Sequence, residues 1–189
     1  MLSGVHFFQE VFSMKDKARK ITAMGALCAL AYTATAVGRV PLVLFLKYDP
    51  KDAVIAAGGL VLGPLAALAV TLAVSLAEML TISENGVLGW MMNVISSCSF
   101  ACTAALVYRR RPGRSGAALG LLCGWGCMIP VMLLWNYLAA PIYMGCPREA
   151  VAELLLPAFL PFNLIKGGLN AALALALYRP AVRCILPTR

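Results

Sequence analysis

The chain has 189 residues, of which 61% are hydrophobic and 13% charged, with a mean hydropathy of +0.84. A soluble domain carries about twice that share of charge, so the composition excludes one and requires an integral membrane protein. The net charge of +8 would suggest nucleic acid in a soluble protein, but here the basic residues fall in short clusters between apolar spans, as topology determinants do, which excludes a nucleic-acid partner and leaves the lipid bilayer.

Residues 1–20 read as a cytoplasmic N-terminal segment. Val5, Phe8, Val11 and Phe12 share a helical face ahead of Lys15, Lys17, Arg19 and Lys20, which fits an interfacial helix on the membrane; a disordered tail fits as well, and His6 reads as a bystander. The first apolar span runs from Ile21 to Gly38. Its Ala34-Thr35-Ala36 resembles a signal cleavage site, but the further spans make a removed signal unnecessary. Gly25, Ala29 and Thr33 form a small-residue stripe at i, i+4, i+8, which permits close helix approach, either inside the protein or against another membrane subunit.

The loop from Arg39 to Pro50 is unusually apolar and can fold over the mouth of a pocket as a lid. The next apolar stretch, Ala53 to Thr81, is too long for one crossing, and Gly58, Gly59, Gly63 and Pro64 allow either one bent helix or a hairpin of a short helix (Ala53 to Leu62) and a full one (Pro64 to Thr81). Further spans follow at Gly86 to Tyr108, Ala117 to Leu138 and Pro157 to Tyr178. Charge favours the hairpin. With six helices, the cluster Lys15 to Lys20, the cluster Arg109, Arg110, Arg111, Arg114 and the tail cluster Arg179, Arg183, Arg189 all lie on one side. Only Arg39, Lys47, Lys51 and Arg148 are then outside, diluted by Asp49, Asp52, Glu84, Glu149 and Glu153. The expected fold is an all-α six-helix bundle over residues 21–180, with both termini cytoplasmic, a short second helix and a tail at 181–189.

Lys166 interrupts the last span and has no charged neighbour within a helical turn. A charge at the bilayer centre costs at least roughly 2.5 to 3.5 kcal/mol, so such residues face a bundle interior or a wet cavity and serve a site. Asn163, Lys166 and Asn170, at i, i+3, i+7, share one face. Asn136 falls near the outer end of the fifth helix, Asn93 about a third of the way down the fourth, and Glu78 near the outer end of the third. Polar groups on four helices therefore converge at one depth, which predicts a pocket open outward and sealed inward. The bland alternative is that the amides join helices and Glu78 neutralises Lys166 as a buried pair. Trp90, Trp135, Tyr137 and Tyr143 at the outer helix ends fit an interfacial belt, or stacking on an aromatic ligand.

The seven cysteines lie mostly inside apolar spans, and neither Cys98/Cys102 nor Cys123/Cys127 has histidine nearby, so they read as small core residues and no metal site is expected. An intramembrane enzyme using Glu78 or Lys166 lacks any Ser/His, Asp/His or metal-ligand arrangement, and a proton-coupled secondary transporter would need paired repeats that the short second helix spoils. No enzymatic activity is expected.

Phe45-Leu46-Lys47-Tyr48-Asp49-Pro50-Lys51-Asp52 after the first helix, Gly63-Pro64 in the hairpin, Trp135-Asn136-Tyr137 followed by Pro141 and Tyr143, and Pro161-Phe162-Asn163-Leu164-Ile165-Lys166-Gly167 resemble the substrate-binding S components of energy-coupling factor vitamin importers, most closely the riboflavin-specific type. The resemblance covers about Ile21 to Pro180. It implies riboflavin as the transported ligand and no cofactor, in the plasma membrane of a prokaryote. It implies as partners a transmembrane coupling subunit and two cytoplasmic ATPases, and this chain has no P-loop of its own. By the same resemblance Asn136, Asn163 and Lys166 hydrogen-bond the flavin ring with Asn93 contributing, Leu44, Phe45, Leu46 and Tyr48 belong to the capping loop, and Gly25, Ala29 and Thr33 face the coupling subunit. The segment Leu76 to Gly86 departs from the pattern, where a more basic, glycine-rich stretch is expected. An S component for another vitamin, such as thiamine, folate or a queuosine precursor, is the alternative, because an unpaired Lys166 suits an anionic ligand.

Overall fold

The computed structural model describes residues 17–43, 46–83 and 86–185. Val5, His6, Phe8, Val11 and Phe12, together with Leu44 and Phe45 of the expected lid, lie outside the described residues. The described chain is helical apart from one small hairpin. In order it forms α1 (Lys17–Gly38), β1 (Val40–Val43), β2 (Leu46–Tyr48), α2 (Lys51–Leu62), α3 (Pro64–Thr81), α4 (Gly86–Ser97), α5 (Thr103–Arg110), α6 (Arg114–Met144), α7 (Arg148–Leu154) and α8 (Leu160–Ile185). A π-helical turn, Cys98–Cys102, joins α4 to α5 without a break, and another, Leu155–Phe159, joins α7 to α8. The second contains Pro157, whose missing N–H such a widened turn absorbs.

Among the described residues, five helical stretches are long and apolar enough to cross a bilayer: Ala18–Gly38, Pro64–Thr81, Gly86–Arg110, Arg114–Ile142 and Arg148–Ile185. The hairpin expected at Gly63-Pro64 is present, with α2 ending at Leu62 and α3 starting at Pro64. Gly63 sits at φ +96°, a conformation that suits glycine, and Pro64 takes the first helical position, where no N–H is needed. α2 is only 12 residues, about 18 Å long at 1.5 Å per residue. It is buried almost all round: from Lys51 to Val61 every residue except Val54 is buried. An apolar, two-glycine helix of this kind belongs at the centre of a bundle, and α1, α3, the first π turn and α8 close around it.

The expected fifth and sixth spans stop too early. α6 runs through Pro130 and Pro141 to Met144, and α8 runs through Pro180 to Ile185. Proline is tolerated inside membrane helices because neighbouring groups re-satisfy the freed carbonyls. The expected lid is in part a β-hairpin, with Val40 opposite Tyr48 and Pro41 opposite Lys47 and an irregular register between Pro41 and Val43.

The core joins Leu27 and Ala31 of α1, Ile55 and Leu60 of α2, Val70 and Val74 of α3, Phe100 of the first π turn, Leu121 and Met128 of α6 and Ala174 of α8. A smaller cluster, Ala140, Val151, Phe159 and Phe162, packs α6, α7 and the start of α8 at the end of the bundle that carries the hairpin.

Candidate functional site

Beneath the hairpin, six described ionisable side chains of balanced sign meet, all buried except the half-buried Arg39. Arg39, Lys51 and Lys166 face Asp49, Asp52 and Glu78. Asp52, Lys51 and Glu78 are wholly inaccessible and Lys166 is 6% exposed.

Glu78, one turn from the end of α3, is the hub on one side. Its carboxylate accepts hydrogen bonds from Lys51 Nζ, from Thr35 Oγ1 of α1 at 3.0 Å and from Asn93 Nδ2 of α4 at 3.1 Å, and Arg39 Nη2 lies 3.8 Å away. Arg39 grips Asp49 with two parallel hydrogen bonds of 3.1 Å, the bidentate geometry in which guanidinium and carboxylate bond most strongly. That pair ties the entry of the hairpin to its exit. Burial alone pushes the Asp49 carboxyl up, but Lys51, the Arg39 hydrogen bonds and Lys166 hold it below the usual carboxylate range.

Lys166 is the hub on the other side. Its ammonium lies 3.1 Å from Asp52 Oδ2 and donates to Ser96 Oγ at 3.3 Å, while Ser97 Oγ donates to Asp52 Oδ1. The isolation of Lys166 along the sequence is therefore not isolation in space: its counter-ion is Asp52, at the first turn of the buried α2. Glu78, the partner offered by the bland alternative, is engaged by Lys51, Thr35 and Asn93 instead. Nor are Lys51 and Asp52 loop charges in water, since α2 begins two residues earlier than the apolar pattern implies and carries both inside. Asn170 completes the face predicted on the last helix. Tyr48 OH donates to its Oδ1 at 2.9 Å and its Nδ2 donates to the Asp49 carbonyl at 3.3 Å, pinning the hairpin to α8. Burial, with Asp52 adding, pushes the Tyr48 hydroxyl up, so it remains a neutral donor.

One turn from Lys166 towards the hairpin end lies Asn163, 1% exposed. Its Nδ2 donates to the Phe159 carbonyl at 2.8 Å, and a carbonyl can only accept, so the amide orientation is fixed and Oδ1 points away. That oxygen is buried without a hydrogen-bond partner, as is Trp90 Nε1, one turn along α4 from Asn93. Asn136 on α6, 2% exposed, is held in the same way by the Met132 carbonyl at 2.8 Å.

The structure thus gathers Tyr48, Asn93, Asn163 and Lys166 around one end of α8, with Asn136 at the same end on α6. Leu46 lies in β2, and Leu44 and Phe45 are outside the described residues. Sequence reasoning missed Arg39, Asp49, Lys51, Asp52, Ser96 and Ser97. The available signal was Lys51-Asp52 abutting an apolar stretch with two glycines, which marks a helix that enters a core with its charges. The stripe Gly25, Ala29, Thr33 is exposed on α1, and a Cβ on Gly25 would meet nothing within 4 Å. All seven cysteines are free, and Cys123 and Cys184 are exposed rather than in the core.

The profile of the family described as "ECF transporter, substrate-specific component" matches residues 19–178. This chain belongs to that family. It is a transport subunit rather than an enzyme, and a multi-pass protein of the prokaryotic cell membrane. Among curated relatives it is 30% identical over 132 residues to the riboflavin transporter FmnP of Bacillus subtilis (strain 168), covering 65% of this chain and 70% of that one. Among solved structures it matches the S component of a bacterial ECF transporter with a TM-score of 0.75 over 90% of this chain and 99% of the other, at 22% identity. The shared fold therefore extends well beyond what identity alone reveals.

Proposed function

We propose that this S component binds riboflavin at the hairpin end of the bundle and delivers it inward when docked on an ATP-driven coupling module. The observation that carries the ligand is Asn163. Its Oδ1 is a buried acceptor with fixed orientation and no partner, and an unsatisfied buried acceptor costs about 1–3 kcal/mol. A ligand N–H relieves that cost. The pyrimidine edge of a flavin offers an N–H between two carbonyls, and Trp90 Nε1 and Lys166 are donors for carbonyls at the same end. The similarity to a riboflavin transporter points the same way.

Charge balance argues for riboflavin over an anionic vitamin. Lys166, read alone, suits an anion, but Asp52 at 3.1 Å offsets its charge, so the site gains a directed donor without a net cation. Asn136, Asn163, Lys166 and Tyr48 act as the polar contacts, with Asn93 holding Glu78 beside them; by the resemblance, Leu44, Phe45 and Leu46 supply the apolar contacts of the capping loop.

The basic clusters at Lys17 to Lys20 and Arg109 to Arg114 put the opposite end in the cytoplasm, with α2 and α3 forming the hairpin that keeps both termini there. Import then needs the coupling subunit, for which the exposed stripe Gly25, Ala29, Thr33 is the docking face.

The purified protein should be yellow, or should quench added riboflavin fluorescence and gain thermal stability from it. A colourless preparation that does neither sinks the flavin reading. Gly25→Trp or Ala29→Trp should leave riboflavin binding intact and abolish uptake in cells; normal uptake moves the docking face elsewhere.

A further inference from the structure

Lys166 and Asp52 form a unit apart from the rest of the charge network. Among the described residues, Glu78 and Asp49 are shared between Lys51 and Arg39. The cation within ion-pair distance of Asp52 is Lys166, and the carboxylate within that distance of Lys166 is Asp52. Asp52 is wholly buried in the first turn of α2, and Ser97 Oγ donates to its Oδ1. Its Oδ2 lies 3.1 Å from Lys166 Nζ without the alignment of a hydrogen bond. The directed hydrogen bond of the ammonium goes instead to Ser96 Oγ at 3.3 Å, and an ammonium has more than one proton to donate. Asp52 therefore cancels the charge of the lysine and leaves it a donor for a ligand.

That arrangement discriminates by charge. An anionic group brought to Lys166 meets a carboxylate already seated against the same cation, in a buried site where like charges repel strongly. An uncharged carbonyl takes its hydrogen bond without that repulsion. We propose that Asp52 is a specificity-determining residue: it fills the counter-ion position that an anionic ligand would otherwise take, and so reserves Lys166 for an uncharged ring edge. This role rests on the riboflavin reading and sharpens it. Two-electron reduction leaves the vitamin nearly the same in size, but at mildly alkaline pH the reduced ring carries a negative charge on its pyrimidine edge. Asp52 thus makes the site take the oxidised vitamin and reject the reduced anion.

The test loads the full chain in detergent with riboflavin at mildly alkaline pH and titrates it with dithionite in the presence of a redox dye. Linkage makes the two-electron potential of the bound flavin fall by about 30 mV for each tenfold by which the oxidised form binds tighter than the reduced one. The wild-type potential should lie at least about 30 mV below that of free riboflavin. Asp52→Asn, which keeps an oxygen for Ser97 and removes the charge, should raise the bound potential by at least the same amount. Glu149→Gln, which removes an exposed carboxylate from α7 at the same end, should leave it at the wild-type value.

An Asp52→Asn potential equal to wild type overturns the proposal, as does an equal rise in Glu149→Gln. A wild-type potential at or above that of free riboflavin overturns it even if Asp52→Asn does not fold. Wild-type protein that binds neither form of the vitamin overturns the riboflavin reading, and the role of Asp52 with it.

Discussion

The two ends of this bundle are held together by opposite means. At the hairpin end three cations and three carboxylates, with Thr35, Asn93, Ser96, Ser97 and Asn170, bridge the hairpin and α1, α2, α3, α4 and α8. Towards the arginine-rich end, backbones meet directly. A Cβ on Gly124 would lie 2.3 Å from the Phe100 carbonyl oxygen and one on Gly120 2.6 Å from that of Ala104, so α6 rests against α5 and the first π turn with no side chain between. Towards that end the Tyr108 and Tyr178 hydroxyls also meet, at 2.8 Å.

Glycine contacts are compact and fixed, and charge networks cost desolvation that Coulomb attraction only partly offsets. A protein that needed only stability would use the first device throughout. Among the described residues the charge network lies at the end with the unpartnered Asn163 oxygen and the hairpin, the end where the proposed ligand site sits.

Breaking one member of the charge network should have the largest effect. Lys166→Met leaves Asp52 buried and uncompensated, and its cost to stability should be about 3–5 kcal/mol. The double variant Lys166→Met/Asp52→Leu should recover most of it, as a thermal-denaturation cycle in detergent can measure. If the double variant is as unstable as the single one, the pair is not the unit the distances imply.

Forcing the glycine contact apart comes next. Gly124→Leu should cost about 1–3 kcal/mol through overpacking, while riboflavin affinity in the surviving folded fraction stays at the wild-type value. A loss of affinity instead would mean that the two ends are coupled.

Asn163→Leu sharpens the comparison from the other direction. Stability should be unchanged or improved, but riboflavin affinity should fall by about 1–3 kcal/mol, roughly five- to 150-fold in Kd, because the ligand N–H is left buried without an acceptor. Fluorescence titration at constant pH measures it, and unchanged Kd would detach Asn163 from the ligand. The smallest effect belongs to Tyr178→Phe, where losing one neutral hydrogen bond should cost about 0.5–1.5 kcal/mol of stability and nothing in binding.

Much of the architecture was legible in the sequence. Apolar length placed the long spans, and the clustering of basic residues on one side chose a hairpin over a bent helix at Gly63-Pro64, where the structure has glycine at positive φ followed by proline at the first helical position. Span ends were less legible: the apolar stretches end at Leu138 and Tyr178, whereas α6 runs on through Pro141 to Met144 and α8 through Pro180 to Ile185. Helical spacing correctly put Asn163, Lys166 and Asn170 on one buried face. It also picked out the Gly25, Ala29, Thr33 stripe on α1, but its exposure, against the default of internal packing, is a finding of the structure.

By itself, then, the sequence determined a membrane protein of helical spans, its turn and the polar face of its last helix, because hydropathy, helical period and proline or glycine chemistry act over a few residues. Only the tertiary structure decided the partner of Lys166. Asp52 lies on a different helix, and a charge next to an apolar stretch looks the same in sequence whether it ends in water or, as here, in the middle of the bundle. Burial is a property of what surrounds a residue. For α2, that surrounding is built by helices from both ends of the chain.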